Sequence, residues 1–131
     1  MFSEKEAAYL QSQRLARIAT VSPSSQPDVA PISYRFDGQR FYVAGYNNPG
    51  TLKFKNVQKG NTQVALVVDD LASTSPWVAR GIKLHGVATI IEQEGRPVIQ
   101  ITPQRHWSWG IEEGAFKDGK PVSRKVRHAA V

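Results

Sequence analysis

Arg80-Gly81-Ile82-Lys83-Leu84-His85-Gly86-Val87-Ala88-Thr89-Ile90-Ile91-Glu92 is the stretch on which the fold turns. Side chains of an extended chain alternate sides, so Ile82, Leu84, Gly86, Ala88 and Ile90 share one face, the mark of a long β-strand with one side in a core. His85 alternates against that face and reads as a partly buried structural histidine. Upstream, Gln63 to Val68 is another strand, and Asp69-Asp70-Leu71-Ala72-Ser73-Thr74-Ser75-Pro76 reads as the loop between the two. Downstream, a last strand covers Val98 to Thr102, is interrupted at Pro103, and has His106 to Ile111 as its continuation. Nearer the start, Leu15 to Val21 has period-two patterning and β-branched residues. The turn chemistry of residues 22–27 leads into a strand through Val29, Ile32, Tyr34 and Phe36, and Asp37-Gly38 closes a hairpin onto Arg40 to Gly45.

Two helices interrupt these strands. Ser3-Glu4-Lys5-Glu6 fits a capping box, in which the Ser3 hydroxyl and the Glu6 carboxylate each satisfy a backbone donor, with a helix running to about Gln13. Asn48-Pro49, then ten residues and Gly60, predicts a second helix with Asn48 as N-cap and Gly60 as C-cap. About six short antiparallel strands and two short helices predict a mainly β fold, a small closed or half-closed barrel rather than a parallel sheet.

At 131 residues the chain is the length of one domain. No apolar run approaches the roughly 20 residues of a membrane span, and Met1 to Gln13 does not read as a signal peptide. The absence of cysteine excludes disulfides and thiolate metal sites and fits the cytoplasm. A net charge of +6 invites a nucleic-acid reading. The excess is lopsided: from Gly114 onward Lys117, Lys120, Arg124, Lys125 and Arg127 face Asp118 alone, and the body is nearly neutral. Residues 114–131 are therefore expected to be a solvated or disordered basic end, with nucleic-acid binding through it and Trp107 and Trp109 as the lesser reading.

The chemistry-bearing candidates centre on Tyr46-Asn47-Asn48-Pro49-Gly50-Thr51-Leu52-Lys53-Phe54-Lys55-Asn56. A helix that follows a strand presents free N–H groups and a positive dipole end to a phosphate, to which Thr51 adds a hydroxyl and Lys53 a charge. Lys53 and Lys55 lie about 200° apart around a helix, so only one faces a given phosphate, and Lys53 is preferred. The plainer alternative is a surface helix with solvated lysines, packed through Leu52, Phe54 and Val57. Trp107 and Trp109 share one side of a strand, as packing residues or as cofactor contacts. His85, His106 and His128 share no ligand spacing, and no metal site is expected.

The order Leu15-Ala16-Arg17-Ile18-Ala19-Thr20-Val21, Pro27 to Asp37, Lys53-Phe54-Lys55-Asn56-Val57, Val64 to Asp70, Trp77 and Gly81 to Gly86 resembles the pyridoxamine-phosphate-oxidase-like split barrels, most of all their deazaflavin (coenzyme F420)-dependent branch. The resemblance spans about Glu4 to Ile111 and implies a split β-barrel binding a flavin or deazaflavin over residues 4–111. It places Lys53 and Thr51 at the cofactor phosphate, with Asn56 supporting the turn and Tyr46 beside it. Pro31, Ile32 and Ser33 fall along the ring system. It implies a homodimer with cofactor between subunits, closed by Trp77 and by Trp107 and Trp109 from the partner. Relatives often carry another basic residue where Thr51 stands, and true pyridoxamine-phosphate oxidases have longer substrate-binding ends, so vitamin B6 oxidation is not expected. The implied function is a hydride-transferring oxidoreductase using coenzyme F420 or flavin mononucleotide (FMN) on a small conjugated acceptor, or else a carrier of the cofactor. Catalytic residues are unassigned: Tyr34, Tyr46, His106 and solvent are the candidate proton donors.

Overall fold

Alternating β-branched and apolar residues build the strands, and glycine-bearing or Asx turns end them. The computed structural model describes residues 1–129. In chain order these form α1 (Glu4–Ser12), β1 (Leu15–Val21), β2 (Pro27–Ser33), β3 (Arg35–Phe36), β4 (Phe41–Val43), a 3-10 turn (Asn48–Gly50), α2 (Leu52–Gln58), β5 (Gln63–Thr74), β6 (Trp77–Gln93), β7 (Arg96–Trp109), β8 (Phe116–Lys117), β9 (Lys120–Pro121) and β10 (Arg124–Arg127). The main sheet is antiparallel in the order β2-β1-β5-β6-β7-β4-β3. Its two end strands, β2 and β3, are separated in sequence by Tyr34 alone, so the sheet curls until one segment supplies both of its ends. The result is a split β-barrel.

Ile18, Leu66, Val68, Ile82, Leu84, Ile99 and Ile101 fill the barrel with Phe41 and Val43, and Leu10 of α1 and Phe54 and Val57 of α2 join the same core. Each such side chain contributes about 1.5–3 kcal/mol on burial. α1 begins with the expected capping box: Glu6 N donates to Ser3 Oγ at 3.1 Å and Ser3 N to Glu6 Oε1 at 2.9 Å.

The structure departs from the sequence reading in five places. Asp69 to Thr74 is strand, not loop, because its polar side chains find partners across the sheet. Asp69 meets Arg17 at 2.6 Å and Asp70 accepts from Arg80 at 2.7 and 2.9 Å, and the turn shrinks to Ser75-Pro76. β7 runs unbroken through Pro103. Gly86 pairs Pro103 while His85 pairs Arg105, so Gln104 is the extra residue of a bulge, where a residue without N–H is tolerated. The second helix is two pieces. Asn48 opens the 3-10 turn, its buried amide donating to the carbonyls of Val43 at 3.0 Å and Pro97 at 3.3 Å, and Thr51 is the true N-cap of α2. His85 is exposed. The basic end stays largely exposed, but it is ordered rather than disordered: β8 and β9 form a small hairpin and β10 pairs with β7.

Candidate functional site

Lys53 and Lys55 lie on opposite sides of α2, as the helical angle requires: Lys55 is exposed and Lys53 is 9% exposed. Burial lowers the Lys53 ammonium's pKa, and the charge of Asp28 on β2 opposes that. Among the described residues Lys53 makes neither an ion pair nor a hydrogen bond. Its stem is buried while its ammonium stays accessible, so the charge is partly desolvated, and an anion brought to it offsets that cost.

The residues around it are more committed. The Thr51 hydroxyl donates to the Asn48 carbonyl at 2.7 Å and accepts from Phe54 N at 3.4 Å, so its helix-capping role occupies it. Asn56 is buried and donates to Thr20 of β1 at 3.0 Å, and its carbonyl accepts from Asn61 N at 3.2 Å. It fastens α2 to the barrel and secures the turn that follows. The Asn48 Oδ1 atom is buried without a donor among the described residues. Tyr46, 99% exposed, stands on the turn before it. Beyond Asp28, β2 presents Pro31 and Ser33 outward while Ile32 enters the core. β2 pairs with β1 on one side only, leaving a second edge of backbone N–H and C=O groups without a strand partner among the described residues.

The tryptophans lie elsewhere on the chain. Trp107 and Trp109 both point outward from β7, and Trp77, 62% exposed, stands at the tip of the β5–β6 hairpin. Trp109 lies flat over Gly81: a Cβ there would come within 2.6 Å of the indole, so the glycine is a space requirement. Trp107 has the Lys83 amine 4.7 Å from its ring centroid and His85 edge-on at 4.8 Å.

Two of the proposed proton donors are engaged in the core. Tyr34 donates to the Leu10 carbonyl at 2.6 Å, and burial pushes its phenol up to about 12. His106 is fully buried, its Nε2 3.0 Å from Glu6 Oε1 and its Nδ1 2.6 Å from His128 Nε2. These contacts belong to a cluster that sequence patterns did not reveal. Glu6, 0% exposed, accepts from His106, Ser108, Arg124 at 2.6 Å and Ser3 N. Burial pushes its carboxyl up, but the hydrogen bonds from His106, Ser108 and Ser3 outweigh burial and hold it well below the ordinary range. Among the described residues no three His, Asp or Glu side chains are grouped to hold a metal, and no helix is long and apolar enough to cross a membrane.

Comparison with known proteins fits this architecture. A 5a,11a-dehydrotetracycline/5a,11a-dehydrooxytetracycline reductase of Streptomyces rimosus is 36% identical, over 85% of this chain and 84% of that one. Two solved structures share the fold. A conserved hypothetical protein of Mycobacterium tuberculosis superposes with a TM-score of 0.68 at 21% identity, over 83% of this chain and 85% of its own. An F420 reductase superposes with a TM-score of 0.64 at 19% identity, over 81% and 98%. The pyridoxamine 5'-phosphate oxidase family matches residues 2–126. With a split barrel, a buried lysine and a family match over nearly its whole length, the chain belongs to the pyridoxamine 5'-phosphate oxidase family.

Proposed function

We propose that the protein is an oxidoreductase that binds a flavin-type cofactor by its phosphate at Lys53 and reduces a small conjugated acceptor. The observation that carries this reading is Lys53, a residue buried along its length whose ammonium reaches the surface with neither an ion pair nor a hydrogen bond among the described residues, a placement that suits a bound phosphate. The cofactor supplies the hydride chemistry. The chain's own groups bind and orient it: Lys53 holds the phosphate, and the open edge of β2 at Pro31 to Ser33 offers backbone donors and acceptors to the polar rim of the ring. Trp77, Trp107 and Trp109 exclude water from a site shared by two copies of the chain in the cytoplasm. With Tyr34 and His106 engaged in the core, the proton comes from solvent or Tyr46.

The reductase relative, whose name places its reaction on a dehydrotetracycline, favours a conjugated acceptor. Coenzyme F420 and FMN both fit a lysine–phosphate anchor, and a glutamate chain beyond the phosphate asks for further cations. Arg80 is spent on Asp70, leaving Lys55 and Lys59 near α2.

The test is titration of cofactor-stripped protein with each cofactor, followed by reduction of a panel of enones, quinones and 5a,11a-dehydrotetracycline. Lys53→Ala is expected to weaken binding roughly 10–100-fold, the worth of a charge-assisted hydrogen bond, and light scattering is expected to give the mass of a dimer. Unchanged affinity in Lys53→Ala removes the anchor. Tight binding without reduction of any acceptor leaves a carrier.

A further inference from the structure

On the outward side of β6, β7 and β10 the register sets His85, Arg105 and Arg127 in one row and Lys83, Trp107 and Lys125 in the next. Directly opposed residues on antiparallel strands share a face with Cβ atoms about 4.5–5.5 Å apart, and like charges so placed destabilise the pair. Arg105 and Arg127 are opposed in this way, both exposed, and neither forms an ion pair among the described residues. Arg40 approaches from the β3–β4 hairpin, its Nε donating to Thr102 Oγ1 at 3.2 Å. These three guanidinium groups and His85 line a groove of about 610 Å³ with Val87 and Pro103, and no acidic side chain among the described residues lines it.

We propose that this groove binds an oligoanion, a small molecule carrying two or more phosphates or carboxylates in succession. Guanidinium forks grip both groups bidentately, and an anion between Arg105 and Arg127 turns their repulsion into attraction. Two sources share the chemistry: a free oligoanion, and the anionic tail of a cofactor anchored at Lys53. The second source reaches it along a neighbouring depression of about 380 Å³ that shares His85 and Gln104 with the groove and runs past Ala19 and Ala65 to Pro27 at the start of β2. The groove's own residues do not include Lys53, so the site stands apart from the cofactor reading.

Calorimetric titration of the full chain with tripolyphosphate and with tetraglutamate, at low and high salt, tests the proposal. At least one probe is expected to bind, more weakly in high salt. Arg105→Gln with Arg127→Gln is expected to lower its affinity at least tenfold while leaving the melting temperature without probe equal or higher, since a repulsion is relieved. Lys53→Ala is expected to leave probe binding unchanged, whatever it does to cofactor. Should the double variant not fold, Arg127→Gln alone on the short outer strand serves the same comparison. Absence of binding by both probes, or binding by the variant equal to the parent's, overturns the site. Competition between probe and saturating deazaflavin assigns the groove to the cofactor's tail, and simultaneous binding assigns it to a free oligoanion.

Discussion

Glu6 shows how much a single side chain can carry beyond its local pattern. The capping box was legible because it is a three-residue spacing, and the structure keeps it. The other partners of the same carboxylate, His106, Ser108 and Arg124, lie 100 to 118 residues away, where no local pattern reaches. Removing it leaves buried donors without an acceptor, so Glu6→Ala is expected to lose about 3–5 kcal/mol, read from the urea midpoint. A loss below about 1 kcal/mol would mean that the cluster is held by packing alone. Lys53 was legible for the opposite reason: helical geometry separates it from Lys55 without knowledge of anything else. The histidines were read only in part. Strand alternation does put His85 on the outward face, but only the tertiary partners of His106 show that it is committed to the core.

Among the elements, strands with an alternating apolar face were readable and strands made of polar residues were not. Asp69 to Thr74 has the composition of a turn, and its pairing with β6 is set by Asp70 and Arg80, a contact between strands. The sequence reading makes Asn48 the cap of the second helix. Asn48 is needed instead to tie the turn to Val43 and Pro97, so the capping role falls to Thr51. β10 is the least expected element: its Arg124 reaches Glu6, and just beyond its end His128 meets His106 and donates its backbone N–H to the Gln104 carbonyl at 2.8 Å. Ending the chain after Ser123 removes all of these contacts. The shortened protein is expected to melt several degrees lower and to show altered Trp107 fluorescence, because Lys125 no longer lies beside that ring. An unchanged melt would mean that β10 lies on the sheet without supporting it.

At the scale of the whole molecule, the barrel class follows from the number and length of the strands, whereas the joining of the two ends of the chain does not. That joining makes stability depend on pH. Burial, helped by the N-terminal amine and His106 and opposed by Glu6, lowers His128 from 6.5 to about 4. Between those values the unfolded chain binds the proton and the folded one does not, so stability rises with pH across that window, by at most about 1.4 kcal/mol per pH unit. Glu6, with its folded pKa depressed, contributes stability that is present above its unfolded value of 4.5 and is lost as pH falls below it. Urea midpoints measured from pH 4 to 7 are expected to climb, and His128→Gln is expected to flatten the part above pH 4.5. The same cluster also sets an order in time. In chain order Glu6 is made long before Arg124 and His128, so the hairpin of β5 and β6 can pair before the later partners of the carboxylate exist. The carboxylate waits for partners made up to 118 residues later, which makes the arrival of β10, rather than that of any earlier strand, the event that locks the barrel.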